Sequence, residues 1–342
     1  MTTASETLPL APAGAAEPLL RVEALRTWFP IKKGLLRRTV GHVRAVDGVD
    51  LQVPAGKTVA LVGESGCGKT TVGRSILRLV EPQSGHVWFA GRDLLTLSQA
   101  ELRPLRRRIQ MVFQDPMTSL NPRLRVRDII AEGMQSFEIG TTEKERTERV
   151  AEALKRVRLN PDHLWRFPHE FSGGQRQRLG VARALAVEPD LVVCDEAVSA
   201  LDVSIQAQML NLLKDLQEEL GLAYLFITHD LSVVRYLADS VSVMYLGEIV
   251  EQNETEALFG DPKHPYTRGL LAAVPSPDPE RRSIEVQVLG DVPSPSNPPP
   301  GCRFHTRCPA RFDRCPREQP VFYDVGGAKV RCFLYDEPGS SA

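Results

Sequence analysis

The chain has 342 residues, 42% of them apolar, and a formal net charge of −1. At roughly 150 residues per domain, that length predicts two domains or one large domain with an appendage. The near-zero charge gives no bulk electrostatic case for a nucleic-acid partner, and no apolar run approaches the ~18 residues of a membrane-spanning helix.

Residues 1–18, biased to Ala, Pro and Thr, read as a disordered leader. They lack the basic start and apolar middle of a secretory signal, which places the chain in the cytosol. Its six cysteines are then expected as thiols or metal ligands rather than disulfides. Ordered sequence begins near Leu19. "LLRVEALRTWF" and "VRAVDGVDLQVPAG" alternate as strands, the second stopping at the turn Pro54-Ala55-Gly56. "KTVALVGE" is a short apolar run of the kind a buried parallel strand shows. "TTVGRSILRLV" has helical spacing, and "GHVWFAGRDL" is another strand and turn. From about Arg123 to Phe171 the character changes: "TEKERTERVAEALKRVRL" is an amphipathic helix with Val150, Leu154 and Val157 on one face, a helical insert. The sheet pattern returns in "PDLVVCDEAV" and "LAYLFITHD", separated by the helix "SIQAQMLNLLKDLQEEL" that stops at Gly221. Strands alternating with helices predict a parallel sheet covered on both faces. The Pro-rich connectors "VPSPDPE" and "VPSPSNPPPG" follow, and a small appended module is placed at 261–342.

"GESGCGKT" fits G-x-x-x-x-G-K-[ST] with Gly63, Gly68, Lys69 and Thr70 at the fixed positions, after a predicted strand and before a predicted helix. Glycines let successive backbone N–H groups of the loop, Ser65, Gly66 and Cys67 among them, converge on dense negative charge. The helix N-terminus adds unsatisfied donors. Lys69 is placed to reach the β- and γ-phosphates of a nucleoside triphosphate, Thr70 to ligate Mg²⁺, and Thr71 to add a phosphate contact. Cys67 is either a small neutral filler or an oxidant-sensitive thiol. "LVVCDEA" ends an apolar strand with Asp195 and Glu196, whose side chains point opposite ways. Asp195 is expected to hold Mg²⁺ and Glu196 to orient and polarise an attacking water.

Between these clusters, "FSGGQRQRLGVARAL" makes a second backbone-rich helix start. With it, Leu19–Leu258 resembles the ATP-binding cassette (ABC) ATPases. Their signature appears as Phe171-Ser172-Gly173-Gly174-Gln175, their glutamine loop at Gln114 in "IQMVFQDP", their D-loop as Ser199 to Asp202 in "SALD", and their switch histidine as His229 in "ITHD". The resemblance implies an α/β P-loop NTPase fold, with a mixed-sheet core and a helical subdomain at about 120–180 inside an ATPase domain at 19–260. It also implies two cassettes closed head to tail around two ATP molecules. Ser172, Gly173, Gly174, Gln175 and Asp202 then meet ATP across the interface, His229 contacts the γ-phosphate, and Gln114 approaches Mg²⁺. The adenine-stacking aromatic is chosen as Phe29, with Trp28 the alternative. Ala197 stands where the family usually has proline.

"VSALDVSIQAQMLNLL", "MYLGEIVE", "HPYTRGLLAAVPSPDP" and "GCRFHTRCP" resemble the ATPase subunits of bacterial oligopeptide/dipeptide importers, most of all the F type, the second of two paired ATPases. This implies a heterodimer with a homologous ATPase subunit, two transmembrane permease subunits and an extracytoplasmic peptide-binding protein, with the chain peripheral on the cytoplasmic face of the membrane. Nickel or another small solute is the alternative cargo. Cys302, Cys308, Cys315 and Cys332 are spaced C-x5-C-x6-C-x16-C in a core-poor, Pro-rich segment, a setting that a bound metal staples. The resemblance implies a [4Fe–4S] cluster there; Zn²⁺ and unliganded thiols stay open. His305 reads as an exposed loop residue. The basic runs Lys32–Arg38 and Arg103–Arg108 read as solvated faces, with lipid head groups or a partner subunit as the alternative. A soluble ABC protein of DNA repair or translation is disfavoured by the single cassette and short insert. A non-hydrolysing ATP sensor is disfavoured by the presence of both Glu196 and His229.

Overall fold

The computed structural model describes residues 17–34, 37–199, 201–273 and 289–336, with the backbone alone at 116 and 117. The leader up to residue 16, part of the Lys32–Arg38 run, Ala200 of "SALD" and the "VPSPDPE" connector lie outside the described residues.

Two sheets form the frame. The first is antiparallel: β1 (Leu20–Lys33) pairs β2 (Arg38–Val53) on one side and β4 (Ser84–Phe89) on the other, and β5 (Arg92–Asp93) closes the edge. The second contains β3 (Thr58–Val62), β6 (Ile109–Val112), β7 (Leu191–Asp195), β8 (Ala223–Thr228), β9 (Ser240–Tyr245), β10 (Glu248–Glu254), β11 (Tyr323–Val325) and β12 (Ala328–Val330). Its order is β11-β12-β10-β9-β3-β8-β7-β6, parallel from β9 to β6 and antiparallel through the C-terminal strands. Every residue of β3, β7 and β8 is buried, as their unbroken apolar runs require of strands covered on both faces.

Helices α1 (Lys69–Ile76) and α2 (Gln99–Arg108) follow the glycine-rich loop and the β4–β5 hairpin respectively. The helical insert comprises α3 (Pro116–Ser119), α4 (Val126–Ser136), α5 (Glu143–Arg156) and the start of α6 (Gly173–Leu185). Thr142 caps α5 by accepting from Glu145 N at 3.1 Å, and Val150, Leu154 and Val157 are fully buried as their spacing predicts. Helix α7 (Val203–Leu220) ends at Gly221, whose φ of +66° is the left-handed stop expected of that glycine. Helices α8 (Leu231–Leu237), α9 (Thr255–Gly260) and α10 (Pro265–Ala272) complete the described helices.

The cover of the main sheet differs from the expectation. One face carries α4 to α7. The other carries α1 together with the antiparallel sheet, where Val22, Leu51 and Phe89 join Leu61, Val72 and Leu225 in one apolar cluster. Alternation in β1, β2 and β4 gives that sheet one apolar side, and the parallel strands offer the matching surface. The residues after 261 also do more than append. β12 pairs β10, with Glu251 opposite Val330, so the C-terminal hairpin covers an edge that β10 would otherwise leave open. Phe304 is buried against Tyr245, Tyr266 and His264.

The basic run on α2 is a largely solvated face, with Arg103 and Arg108 exposed and Arg106 and Arg107 half-buried, that also finds partners. Arg103 donates to Ser136 O, Arg106 to Arg78 O and Arg107 to Val187 O, and Arg108 pairs with Asp190 at 2.5 Å. Of these, Arg103 ties α2 to the helical insert at the end of α4, because a long fork of donors can reach carbonyls that helix ends leave free.

Candidate nucleotide site

The loop between β3 and α1 is shaped by missing side chains. Gly63 has φ +157° and Gly68 φ +111°; a Cβ on the first would lie 2.1 Å from Met244 O, and on the second 1.9 Å from Ala45 O. Only glycine lets the loop pass between those two carbonyls. Gly68 caps α1 without any side-chain bond, so the first N–H groups of the helix have no capping side chain. Ser65 and Gly66 form the exposed tip, and Thr71 is half-buried. Lys69 is 4% exposed and its Nζ donates to Gly63 O at 2.8 Å and Glu64 O at 2.9 Å. The ammonium is thus parked on the loop's own carbonyls, from which an anion with higher charge density can take it. Cys67 is buried 3.8 Å from Lys69 Nζ, and burial pushes its thiol up, which favours the neutral filler reading over a reactive thiolate.

Asp195 and Glu196 do point to different neighbours. Thr70 Oγ1 donates to Asp195 Oδ1 at 2.8 Å. Asp195 is 1% exposed, and its Oδ2 is buried with no hydrogen-bond partner. Burial raises its pKa. A buried, orphaned carboxylate oxygen beside a hydroxyl is a donor set for a hard divalent cation, so the residues fit Mg²⁺. Glu196 has φ +48°, and its N–H donates to Ile227 O at 2.9 Å. Gln114 Nε2 donates to its Oε2 at 2.6 Å, and His229 Nδ1 lies 3.2 Å from its Oε1. Ser199 Oγ donates to the Glu196 carbonyl at 3.0 Å, and Ala197 is buried just after the carboxylate. Glutamine, glutamate and histidine, far apart in sequence, therefore form one polar group beside Thr70 and Asp195.

The remaining motif residues stand apart from that group. Ser172 caps α6: its Oγ accepts from Gln175 N, and Gln175 Oε1 accepts from Ser172 N at 3.0 Å. A Cβ on Gly173 would meet nothing within 4 Å, whereas one on Gly174 would lie 2.5 Å from Ile205 Cγ2. Asp202 caps α7 without a side-chain bond and is exposed, and Val203 beside it is 84% exposed. Phe29 is 40% exposed, while the Trp28 ring lies under the Arg44 guanidinium at 5.0 Å.

At the C-terminus the expected metal site, a [4Fe–4S] cluster or Zn²⁺ on the four late cysteines, finds no support: among the described residues no group of three or more His, Cys, Asp or Glu could hold a metal ion. All four late cysteines are free. Burial pushes Cys302 up to about 12 and Cys332 up to about 11. His305 is buried rather than exposed, with its Nδ1 2.8 Å from Cys302 O, because the Cys302–Cys308 loop folds back on itself. Sequence reasoning also missed Glu64, Tyr266 and Arg307, which meet beside the phosphate loop. No spacing rule relates residues 243 positions apart, as Glu64 and Arg307 are.

A family model described as "ABC transporter" matches residues 46–199, and one described as "Oligopeptide/dipeptide transporter, C-terminal region" matches residues 250–315. The "Probable peptide ABC transporter ATP-binding protein y4tS" of Sinorhizobium fredii is 53% identical over 320 residues, covering 93% of this chain and 90% of that protein. The chain belongs to the ABC transporter ATP-binding proteins. It is accordingly an ATP-hydrolysing subunit with the ABC ATPase fold. The "Oligopeptide transport ATP-binding protein AppF" of Bacillus subtilis is 49% identical over 328 residues, 94% of this ABC protein and 99% of that one. Among solved ABC structures, cbiO1 of Clostridium perfringens superposes with TM-score 0.61 at 27% identity, over 72% of this chain and 92% of that one. The cassette MJ0796, a dimer bound to ADP and Pi, superposes with TM-score 0.61 at 26% identity, over 69% and 98%. No helix of this ABC ATPase, among the described residues, is long and apolar enough to cross a membrane.

Proposed function

We propose that this chain energises the import of oligopeptides or dipeptides, as the F-type member of a pair of ATPase subunits on the cytoplasmic face of the membrane. The observation that carries the reading is that similarity to peptide-import ATPases runs through both the ATPase core and the C-terminal region, over 93% of the chain. Two permease subunits and an extracytoplasmic peptide-binding protein complete the machine.

In this reading the amides of Gly63, Ser65, Gly66, Cys67 and Gly68 and the Lys69 side chain take the β- and γ-phosphates of ATP, and the Lys69 ammonium leaves the carbonyls of Gly63 and Glu64 to do so. Thr70, Asp195 and Gln114 hold Mg²⁺, which supplies charge neutralisation at the phosphates when bound. Glu196, held between Gln114 and His229, orients a water for in-line attack on the γ-phosphorus and draws on its proton. His229 turns from Glu196 towards the γ-phosphate. Phe29 stacks on adenine, since Arg44 already covers Trp28. Ser172, Gly173, Gly174, Gln175 and Asp202 serve the nucleotide bound to the facing subunit. Their separation from the Glu196 group within one chain supports that assignment: Gly173 has open space where a Cβ would stand, and Asp202 is exposed. ATP binding closes the pair and hydrolysis resets it.

The four late thiols are assigned to a [4Fe–4S] cluster. The reading rests on four cysteines, Cys302, Cys308, Cys315 and Cys332, gathered in one short segment poor in regular structure, the setting a bound metal group staples. When bound, the cluster supplies a covalent staple for a segment poor in regular structure.

The test is ATP hydrolysis by the intact complex, with the paired ATPase and permease subunits in lipid and the binding protein added. Stimulation by peptides of two to five residues with the binding protein present is expected. Stimulation by nickel or a sugar and not by any peptide would replace the cargo assignment.

A further inference from the structure

Glu64, the first variable position of the phosphate loop, is gripped through three of its parts. Its N–H donates to the Tyr266 hydroxyl at 3.0 Å, its carbonyl accepts Lys69 Nζ at 2.9 Å, and its carboxylate accepts Arg307 Nη1 at 3.1 and 2.9 Å. Tyr266 comes from α10 and Arg307 from the loop between Cys302 and Cys308. Both lie in the C-terminal region, far from the ATPase motifs in sequence.

The two grips are built. The Arg307 side chain is 10% exposed, its guanidinium lies over the Tyr245 ring at 5.8 Å, and Tyr245 packs on Tyr266 and Phe304. Arg303, four residues earlier, binds Leu246 O and the carboxylates of Asp47 and Glu248. Leu246 in turn precedes Gly247, whose N–H donates to Cys67 O at 2.9 Å and whose carbonyl accepts Asp47 N at 2.8 Å. The Cys302–Cys308 loop therefore touches the phosphate loop directly at Glu64 and indirectly at Cys67. The arginine end of the pair is largely out of water while the Glu64 side chain is 27% exposed, so removing Arg307 leaves a half-buried carboxylate without its counter-charge.

We propose that Arg307 and Tyr266 are positioning residues for the phosphate loop, and that through Glu64 the C-terminal region sets the affinity for ATP. Tyr266 takes the Glu64 N–H out of the loop's anion-facing set and so fixes which amides face the phosphates. Arg307 neutralises a carboxylate that stands within the loop itself. Unpaired, that carboxylate would oppose the arriving triphosphate. The inference rests on the reading of Gly63–Thr70 as the phosphate site.

The experiment is equilibrium binding of a fluorescent ATP analogue to the purified full-length chain, with thermal melting as a check on folding. Arg307→Gln is expected to weaken binding about 5- to 10-fold, the scale of coupling between contacting charged groups. Arg307→Lys keeps the charge and is expected to stay within about 2-fold of wild type, a smaller effect than loss of the pair. The discriminating variant is the double one, Arg307→Gln with Glu64→Gln. Removal of the stranded carboxylate restores binding to within about 3-fold of wild type, a rescue that a purely structural arginine would not show. Glu64→Gln alone binds at least as tightly as wild type, and this arm holds if Arg307→Gln does not fold. Tyr266→Phe, which strands the Glu64 N–H, weakens binding about 3-fold. Wild-type affinity in folded Arg307→Gln, failure of the double variant to recover, or weakened binding in Glu64→Gln alone would each overturn the proposal. Lys69→Ala separates the two levels: if it binds nucleotide normally, the phosphate-loop reading itself has failed. If it loses binding while Arg307→Gln does not, only the brace has.

Discussion

Replacing Glu196 by glutamine changes one oxygen to an NH2 and removes one negative charge without altering shape. Both oxygens of the carboxylate are engaged, Oε2 by Gln114 Nε2 at 2.6 Å and Oε1 by His229 Nδ1 at 3.2 Å. An amide at this position still meets both neighbours if Gln114 turns its own amide over, so Glu196→Gln is expected to fold and bind ATP as wild type does. What it loses is the anion that aligns the water and draws on its proton. Loss of one aimed polar group slows turnover about 10²-fold, about 2.7 kcal/mol at the barrier. Nucleotide binding is then uncoupled from hydrolysis, and the ATPase pair accumulates in its closed, ATP-loaded form. The assay is steady-state phosphate release by the paired subunits with saturating Mg-ATP, together with size-exclusion chromatography of the same sample. Phosphate release within about 3-fold of wild type, far short of what a lost catalytic group costs, would refute the role given to Glu196 and return the Gln114–Glu196–His229 group to a structural one.

Gly173→Ala should leave the melting temperature of the single chain unchanged, because its Cβ would point into open space, yet depress ATP turnover of the pair at least about 10-fold if Gly173 faces the other subunit's nucleotide; equal loss in melting and turnover would refute the two-chain site. Gly68→Ala should abolish nucleotide binding, since its Cβ would sit 1.9 Å from Ala45 O at φ +111°, and titration with a fluorescent ATP analogue reads the loss. His264 is fully buried, and burial pulls its pKa down to about 3. The unfolded chain therefore binds a proton that the native one does not between the ordinary value and about 3, and stability falls as pH drops through that window. From pH 6.5 to pH 5 the loss is about 2 kcal/mol at 1.36 kcal/mol per unit. His264→Asn, which can still accept from Tyr266 N, should flatten that part of the urea-midpoint profile; an unchanged slope would assign the acid sensitivity elsewhere. Protein purified without oxygen should be brown and carry iron and acid-labile sulfide, both lost in the Cys302→Ser variant, whereas colourless protein with one zinc would replace the cluster assignment.

The ATPase core was legible in the sequence where chemistry and local structure use the same residues. Gly63 and Gly68 mark the loop because backbone must pass where a Cβ cannot. Leu191–Asp195 reads as a buried strand because it is apolar throughout, and Gly221 stops α7 with a left-handed residue. Ser172, Gly173 and Gly174 announced a helix start, and Ser172 caps α6 there. The basic run Arg103–Arg108 lies on a largely solvated face as read, but charge density in a sequence does not say which carbonyls lie within reach. His305 misled for a related reason: the loop that carries it turns inward onto Cys302.

By itself the sequence determined the phosphate loop, the paired carboxylates, the parallel core and the resemblance to peptide-import ATPases, all written in short-range patterns of backbone freedom and polarity. The tertiary structure alone decided that an antiparallel sheet joins α1 over one face, that the last strands continue the main sheet, and that Arg307 and Tyr266 reach Glu64. Those pairings join positions of low local information across hundreds of residues. Only the packing of apolar faces, which acts without regard to sequence distance, brings such groups into contact.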